Sequence, residues 1–467
     1  MTPQAQLVMI LWLPITFYLF TRFSPRTAVI MSFIGGLLFL PQSAGFKLPL
    51  IPDYQGMVAT CYGIILGVII YDIKTLARFQ FQWIDLPMLV WCICPMFSSL
   101  SNDLGAYDGF NATLTQTTEW GLPYLLGRLY LNNLAGLKEL AMNIIKGGLL
   151  YVPLCWFEFR FSPQLHRIVY GYHPHQFGQS VRLGGYRPVV FMRHGLMVAL
   201  WMMLVTLVIF WLWKAKAIQK IWRIPINWLV GIMLLTFILL RSSGAYIYFL
   251  YALIILFAAK WLRTNLPLLL LMAGICYYLF INISGQFNGD ELVSWAANFN
   301  QDRASSLEFR FKNEELLIAK ARQRMIFGWG GWGRNRVYTE NWQGELEDTS
   351  VTDSLWIIIF GTQGIVGIAS FTTMMLLPVL RFCIWGYPCR TWFNPKIAPA
   401  AALAVGLPLF VVDCLLNAMP LPVFPLICGG LSGLSFKPIT VRRPQLSNLK
   451  ATQRFLKGQS RRAKFPN

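Results

Sequence analysis

The sequence predicts an all-α, polytopic membrane protein with 12 or 13 transmembrane helices and two sizeable loops on one side of the bilayer. Two observations indicate this fold class. Hydrophobic residues make up 56% of the 467-residue chain and charged residues only 13%, and long apolar runs alternate with short polar joints. A water-soluble protein is therefore excluded. Helices are expected because a helix in a bilayer satisfies its own backbone hydrogen bonds.

Each predicted span is an apolar run that can cross a hydrocarbon core of ~30 Å. The weakest run is 119–134, because Pro123 and Arg128 interrupt it, and a broken or tilted helix is expected there. The predicted spans centre on residues 7–20, 27–41, 54–71, 83–100, 119–134, 138–157, 195–213, 226–242, 245–262, 265–284, 354–380, 397–415 and 419–435.

The orientation follows from the Lys and Arg residues of the short joints, since cytoplasmic loops are enriched in them. Alternate joints are basic throughout, and they include residues 22–26, 74–78, 214–223, 260–263 and 381–396. If these joints face the cytoplasm, the amino terminus and two long segments, 158–194 and 285–353, lie outside, and the carboxyl terminus lies inside.

Two regions of different composition are expected. Residues 1–435 form the transmembrane domain with its outer loops, and residues 436–467 form a basic cytoplasmic tail. The tail holds nine Lys and Arg and no acidic residue, nearly half of the formal net charge of +20. This composition is typical of disorder or of association with anionic membrane lipids, and it does not favour nucleic-acid binding.

The first outer segment breaks the charge rule, because 158–194 contains five arginines and all four histidines of the protein. A bound anion is the simplest reason, since the guanidinium of Arg presents two parallel donors to a phosphate. The candidate substrate-binding residues are Arg182, Arg187, Arg193 and His194. The alternative is a translocated loop whose arginines contact lipid headgroups and whose histidines are structural or interfacial.

An amphipathic helix is predicted for residues 302–325 of the second outer segment. Arg303, Arg310 and Glu314 recur at spacings of seven and four residues, which places them on one helix face. Arg310 is a candidate catalytic residue and Arg303 a candidate substrate-binding residue. The alternative is a solvated helix stabilised by salt bridges.

A glycine- and tryptophan-rich corner follows this helix at residues 328–334. Glycine permits positive φ angles and close approach to a ligand, and tryptophan rings are platforms for a sugar face or a lipid chain. Trp329, Trp332 and Arg334 are therefore candidate substrate-binding residues. A plain turn is the alternative, and no Gly-Lys-Ser/Thr follows that would complete a Walker loop.

Two further charged residues are associated with apolar runs. Asp353 precedes the span at 354–380, where its carboxylate can face a polar cavity or cap the helix. Arg128 lies inside a predicted span, where a charge costs ~3 kcal/mol on insertion scales, so it is a candidate substrate contact unless its side chain reaches the interface.

Three motifs together resemble the O-antigen ligase and O-antigen polymerase superfamily of bacterial inner membranes. They are Glu308-Phe309-Arg310 with Ala319-Lys320-Ala321, then Phe327-Gly328-Trp329-Gly330, then Ser354-Leu355-Trp356 with Gly361-Thr362-Gln363-Gly364-Ile365-Val366-Gly367. The matching stretch covers residues 303–380.

The resemblance implies a multi-pass inner-membrane protein whose active site faces the periplasm. Outer-loop arginines would bind the pyrophosphate of an undecaprenyl-pyrophosphate-linked glycan, and a residue near the start of the Gly-rich span would assist the acceptor hydroxyl. Ligases of this superfamily usually carry a His-Asn or His-Ser pair where this chain has Asp353 and Ser354. The departure favours a polymerase or an exopolysaccharide transferase over a lipid A-core ligase.

The residues themselves are suited to metal-independent glycosyl transfer. A departing pyrophosphate needs its charge neutralised by a metal ion or by arginines, and the outer segments contain no Asp-X-Asp-like metal motif. We therefore expect no metal and no cofactor. Arg310, Arg187 and Arg193 are predicted to bind the pyrophosphate, and Asp353, or as second choice a loop histidine, to act as general base.

The expected partners are a polyprenyl-pyrophosphate-linked oligosaccharide, a glycan or lipid-linked acceptor, membrane lipids and polysaccharide-assembly proteins. A flippase or exporter of the same lipid-linked glycan is the main alternative, and a non-catalytic assembly subunit is another. Large outer loops favour an enzyme, because alternating access is usually built from repeated halves with short loops.

Overall fold

The protein is a bundle of α-helices with short β-hairpins in its loops, seen in a computed structural model that describes residues 2–49, 51–182, 184–287, 289–298 and 301–435. The structure is 71% helical. In the described ranges eight helices are long and apolar enough to cross a membrane, and four shorter helices are also apolar. The predicted all-α, multi-pass membrane fold is therefore confirmed. The predicted basic tail, residues 436–467, lies outside the described residues.

The helices are numbered in chain order. They are α1 (Pro3–Arg22), α2 (Pro25–Phe39), α3 (Gly56–Tyr71), α4 (Ile73–Ala77), α5 (Leu86–Ser101), α6 (Ala106–Gln116), α7 (Leu122–Tyr130), α8 (Leu134–Phe161), α9 (Leu165–Tyr170), α10 (Gly195–Lys214), α11 (Ile226–Leu239), α12 (Ser243–Phe257), α13 (Leu266–Ser284), α14 (Asp290–Ala297), α15 (Gln301–Arg322), α16 (Leu355–Arg381), α17 (Ala398–Leu416) and α18 (Val423–Ser432).

Four antiparallel hairpins are described in the loops. They pair β1 (Gly45–Phe46) with β2 (Tyr54–Gln55), β3 (Val181–Arg182) with β4 (Gly185–Tyr186), β5 (Lys220–Ile221) with β6 (Ile224–Pro225), and β7 (Tyr338–Glu340) with β8 (Leu346–Asp348).

Polar side chains in some of the joints cap the helices that follow them. The Asn133 side chain accepts a hydrogen bond from the Gly136 backbone N–H at 2.9 Å, and Ser24 caps α2 in the same way. Such caps satisfy donors that the first helical turn leaves without partners. These two joints therefore stabilise the starts of α2 and α8.

The segments predicted to lie outside meet at one end of the bundle, which we call the outer-loop end. The Thr2 hydroxyl donates to the Tyr170 carbonyl, and the His166 ring accepts from the Gln42 backbone N–H at 3.2 Å. The Asn102 amide likewise donates to the Gly328 carbonyl at 2.7 Å. Both long outer segments also border the connection after α17, since Arg193 lines a cavity with residues 418–422 and Arg310 donates to the Leu416 carbonyl. The amino terminus and both outer segments thus share this end.

Joints predicted to be cytoplasmic contact one another at the opposite end, which we call the joint end. The Tyr130 hydroxyl donates to Asp72 at 2.9 Å, and the Thr27 hydroxyl donates to Glu139 at 2.6 Å. Joints that were predicted to lie on the same side of the membrane are therefore brought together by the fold.

The run predicted as a weak span at 119–134 belongs to a longer helical path. α6 continues through a π-helical segment, Thr117–Gly121, directly into α7. The predicted boundaries are therefore wrong, since the path begins at Ala106 and ends at Tyr130. The π-helical turn immediately precedes Pro123, which lacks a backbone donor and would strain a regular helix interior.

Arg128 is buried at the joint end in a bidentate ion pair with Asp85. Its Nε lies 2.6 Å from Asp85 Oδ1 and its Nη2 lies 2.8 Å from Oδ2, while Nη2 also donates to the Gln80 carbonyl at 3.2 Å. These contacts give the buried charge a structural partner. The structure does not bring Arg128 together with the other predicted substrate-binding residues.

Arg128→Lys is expected to lower the free energy of unfolding by about 1–3 kcal/mol, because a lysine ammonium cannot reproduce the bidentate contact with Asp85. Thermal unfolding in detergent measures the loss. Arg22→Lys, at an exposed helix end, is the matched control. A melting temperature equal to that of the wild type would show that the ion pair does not stabilise this end of the bundle.

Helix α16 is broken at Gly364, whose φ and ψ are 65° and −158°. The break frees backbone groups that pair with residues 325–330. Ile365 N donates to the Met325 carbonyl at 2.8 Å, and Trp329 N donates to the Gly361 carbonyl at 2.8 Å. Irregular backbone at membrane depth is tolerated where protein covers it. Residues 325–330 of the second outer segment are therefore seated at the break, against residues 361–366 of α16.

Candidate functional site

Arg310 and Asp353, the two predicted catalytic residues, lie side by side at the outer-loop end. Arg310 projects from α15, and its Nε is 3.9 Å from Oδ2 of Asp353, just before α16. Arg310 Nη1 also donates to the Leu416 carbonyl at 3.3 Å. The Asp353 side chain is 48% exposed, so its carboxylate is accessible to a ligand. No side chain caps α16, so Asp353 is not a helix cap.

Glu314 ties α15 to the two helices beside it. Its Oε1 accepts from the Ser354 hydroxyl at 2.6 Å and from Trp356 Nε1 at 3.3 Å, and its Oε2 accepts from the Tyr278 hydroxyl at 3.3 Å. Burial raises the pKa of Glu314, while these hydrogen bonds and the charge of Arg310 act in the opposite direction. Glu314 thereby holds Arg310, one helical turn away, against the start of α16.

The face of α15 that packs against the bundle is mixed in character. Asn313, Leu317 and Ala321 are buried, whereas Leu316 is 51% exposed. The Asn313 side chain accepts a hydrogen bond from the Val351 backbone N–H at 3.2 Å. This bond holds the chain just before Asp353 against α15. The predicted helix is confirmed, and its buried face carries the polar groups that position the site.

The cavity between Arg310 and Asp353 is small, about 20 Å³, and its lining includes Tyr278, Phe309 and Leu416. A space of this size holds about one water molecule. A sugar hydroxyl would therefore approach Asp353 from its exposed side.

The first outer segment forms a cluster of cationic and imidazole side chains that we call the Arg/His cluster: Arg182, Arg187, Arg193, His175 and His194. Arg187 is buried, its Nη2 donates to the Arg241 carbonyl at 3.2 Å, and its Nε has no hydrogen-bond partner. Burial, with the nearby charge of Arg182, lowers the pKa of Arg187 to about 10.

Within the described part of the chain, the three arginines of this cluster form no ion pair with a carboxylate. The buried guanidinium of Arg187 and the exposed guanidiniums of Arg182 and Arg193 create a positive potential at the outer-loop end. An anionic group bound there would supply the missing partner.

His194 joins this cluster to the bundle. Its Nδ1 accepts from the Leu196 backbone N–H at 3.1 Å and caps α10, and its ring centroid is 5.2 Å from that of His175. Burial, followed by the charges of His175, Arg187, Arg182 and Arg193, lowers the pKa of His194 to about 4. His194 is therefore neutral near pH 7 in the ligand-free protein.

Sulfate binding at the Arg/His cluster is expected to strengthen as the pH falls from about 6.5 toward 4. An anion favours the charged imidazole, so it raises the pKa of His194 from about 4, and binding then takes up a proton. Without sulfate, the depressed pKa makes the protein less stable as the pH falls through the same window. Sulfate suits this measurement because it does not titrate there.

Melting temperatures recorded with and without sulfate at several pH values measure this effect. The comparison is His194→Asn, which keeps a capping acceptor for α10 but cannot titrate. The increase in melting temperature that sulfate causes should grow more steeply toward low pH in the wild type than in His194→Asn. Equal pH dependence in both proteins would rule out His194 as the titrating group.

The Gly-Trp corner packs against protein rather than standing free. Lys320 Nζ lies 4.2 Å from the Trp329 ring centroid, and Arg334 Nη1 donates to the Asn102 carbonyl at 2.8 Å. Trp332 is 79% exposed, and its Nε1 donates to Asp108 at 2.9 Å. Among the three predicted substrate-binding residues of this corner, Trp332 has a ring that is accessible to a ligand. The side chain of Arg303 lies outside the described residues.

The two groups of predicted residues each border the connection between α17 and α18. Arg310 donates to the Leu416 carbonyl, while Arg193 lines a cavity of about 240 Å³ that is also walled by residues 418–422. Arg310 is thus paired with Asp353 beside this connection, and Arg193 faces the cavity. In the described ranges no group of three or more His, Cys, Asp or Glu residues is arranged to hold a metal ion.

The fold and these clusters define a multi-pass, all-α membrane protein with a cationic outer-loop end. The chain matches no protein-family model, and no curated protein matches it either.

Proposed function

We propose that this protein catalyses metal-independent glycosyl transfer, moving a glycan from a polyprenyl-pyrophosphate donor to a sugar hydroxyl. The reaction would take place at the periplasmic side of a bacterial inner membrane, with a glycan or a lipid-linked molecule as acceptor. The observation that carries the proposal is the contact between Arg310 and Asp353, two residues 43 positions apart, at the same end of the bundle as the Arg/His cluster.

The proposed reaction is a substitution at the anomeric carbon of the donor sugar. Asp353 accepts the proton of the acceptor hydroxyl as its oxygen forms a bond to the anomeric carbon. The bond from that carbon to the pyrophosphate oxygen breaks, and the lipid pyrophosphate leaves with the electron pair. Arg310 and the Arg/His cluster stabilise the negative charge that develops on this leaving group.

The Asp353 carboxylate is suited to the role of base in a way that Glu314 is not. Glu314 already accepts three hydrogen bonds from side chains. Asp353 has Arg310 as its ion-pair partner at the long distance of 3.9 Å. An oxygen of Asp353 is thus available for the acceptor hydroxyl, and Glu314 acts as a positioning residue.

A flippase or exporter of the same lipid-linked glycan is a second candidate, and the break of α16 at Gly364 favours it. Discontinuous membrane helices form the substrate sites of many transporters. In this protein, however, backbone groups of residues 325–330 pair with the broken segment. The break is therefore equally suited to an enzyme, because it holds the second outer segment, which carries Arg310 and Asp353, against α16.

The proposal is tested with the purified protein in detergent and a synthetic lipid-pyrophosphate oligosaccharide. We expect chain growth together with release of lipid pyrophosphate, and the same rates after treatment with a metal chelator. Transport of the lipid-linked glycan in liposomes without either product would favour the flippase or exporter. Loss of activity on chelation, restored by a divalent cation, would contradict the arginine-based mechanism.

A further inference from the structure

A second polar region lies at the outer-loop end, and apart from Arg193 its side chains play no part in the proposed chemistry. The cavity that contains Arg193 also has the side chains of Gln42, Ser43 and Glu119 in its lining. A neighbouring cavity of about 300 Å³ is lined by Asp53, Asn111, Thr115 and several apolar residues. Gln55, Val58 and Glu119 line both cavities. The two spaces therefore adjoin, and we call them together the Glu119 groove.

A local irregularity of the helix places Glu119 in this groove. The residue lies in the π-helical segment Thr117–Gly121 between α6 and α7. Trp120 packs into the bundle with its ring centroid 5.7 Å from that of Trp91, and Gln116 exchanges side-chain hydrogen bonds with Gln363. Single π-helical turns are often found at functional sites, where they redirect a side chain.

The polar side chains of the groove are available to a ligand. Glu119, Gln55 and Ser43 are exposed, and within the described ranges no hydrogen bond is formed by the carboxylate of Glu119 or the guanidinium of Arg193. The two charges interact electrostatically across the cavity without forming an ion pair. A carboxylate, a guanidinium and amides together offer both donors and acceptors.

The charges of the groove select the kind of ligand. Two carboxylates, Glu119 and Asp53, accompany the single guanidinium of Arg193, so a pyrophosphate or a phosphorylated headgroup would meet repulsion there. A neutral, hydroxyl-rich ligand avoids that repulsion and can use every donor and acceptor. Tyr107 and Phe110 are 66% and 54% exposed and line the cavity that also contains Asp53. Their rings can cover the apolar face of a sugar there.

We infer that the Glu119 groove binds a neutral saccharide chain, with Glu119 as its central hydrogen-bond acceptor. Arg193 lies at the boundary between the groove and the Arg/His cluster, because it lines the groove while its charge also lowers the pKa of His194. The pyrophosphate of a lipid-linked glycan belongs on the cationic side of this boundary, and the saccharide belongs on the carboxylate side. That this saccharide is a substrate of glycosyl transfer rests on the proposed function, whereas saccharide binding itself does not.

The test uses the full-length protein in detergent with two neutral hexasaccharides, one of hexoses and one of N-acetylhexosamines. Saturation-transfer NMR detects binding, and a titration gives the Kd. We expect at least one hexasaccharide to bind, and Glu119→Ala to weaken it about tenfold or more, as for the loss of a charged hydrogen-bond partner. Tyr107→Ala, at an exposed position, should weaken the same saccharide. Glu345→Ala, which removes an exposed carboxylate from the loop between β7 and β8, should not.

Binding of inorganic pyrophosphate provides the contrasting measurement. It should be unchanged or strengthened in Glu119→Ala, because that variant removes a negative charge near Arg193. The inference is overturned if neither hexasaccharide binds, or if Glu119→Ala and Tyr107→Ala bind as the wild type does while keeping its melting temperature. Saccharide binding without any transfer in the lipid-pyrophosphate assay would sustain this inference and contradict the proposed function.

Discussion

Asp353→Asn is expected to lower the rate of glycan transfer by about a hundredfold or more, the usual loss when a general base is removed. Asparagine has nearly the shape of aspartate but cannot accept the proton of the acceptor hydroxyl. Since Asp353 is half-exposed and its ion pair with Arg310 is long at 3.9 Å, the fold should be unaffected. The measurements are turnover in the lipid-pyrophosphate assay and the melting temperature in detergent.

Two companion variants show whether the loss belongs to this carboxylate. Glu345→Gln neutralises an exposed acid in the same outer segment and should retain wild-type turnover. Ser354→Ala removes one of the three hydrogen bonds to Glu314 and should give a smaller loss than Asp353→Asn. If Asp353→Asn retains full turnover, another group is the base, and the histidines of the first outer segment become the next residues to substitute.

Gly364→Val is expected to abolish the yield of folded protein. The residue has a φ of 65°, which a β-branched residue rarely adopts. A Cβ atom at this position would lie 2.3 Å from the Ile326 carbonyl oxygen and 2.5 Å from its carbon. Both are backbone atoms of a carbonyl that accepts a hydrogen bond from Val366 N, and the preceding carbonyl of Met325 accepts one from Ile365 N. The Ile326 carbonyl therefore cannot move without opening the inserted segment.

The matched control is Gly331→Ala in the Gly-Trp corner, where an added Cβ meets no atom within 4 Å. This variant should fold with a melting temperature close to that of the wild type. Size-exclusion profiles and thermal unfolding in detergent compare the two variants. A monodisperse Gly364→Val protein with wild-type stability would show that residues 325–330 are not seated at the break of α16.

Most of the fold could be predicted from the sequence, because apolar length and basic joints are local properties of the chain. The boundaries of the weak span at 119–134 were predicted wrongly because they depend on contacts between distant parts of the chain. Arg128 interrupts an apolar run, but its charge is paired with Asp85, 43 residues earlier in the chain. The pairing of distant charges cannot be read from composition, and neither can the π-helical turn that precedes Pro123.

The candidate site was predicted in part. Helical spacing placed Arg310 and Glu314 on one face, and the structure brings Arg310 to Asp353. The three hydrogen-bonding partners of Glu314 could not be predicted from the sequence, since they come from α13 and from the start of α16. The Gly-Trp corner was predicted to approach a ligand, whereas its glycines allow residues 328–330 to approach α16. Glu119 could not be recognised from the sequence, because it is the first residue of the predicted span 119–134 and its neighbours in the groove come from α3 and the loop before it.

In the proposed reaction, a lipid pyrophosphate binds at the outer-loop end between the Arg/His cluster and Arg310. The most direct test is an electron cryo-microscopy structure of the protein with a polyprenyl-pyrophosphate oligosaccharide bound. We expect the pyrophosphate within hydrogen-bonding distance of at least one arginine from each outer segment, with the sugar directed toward Asp353. A pyrophosphate bound at the joint end, near Arg128 and Asp85, would contradict the account.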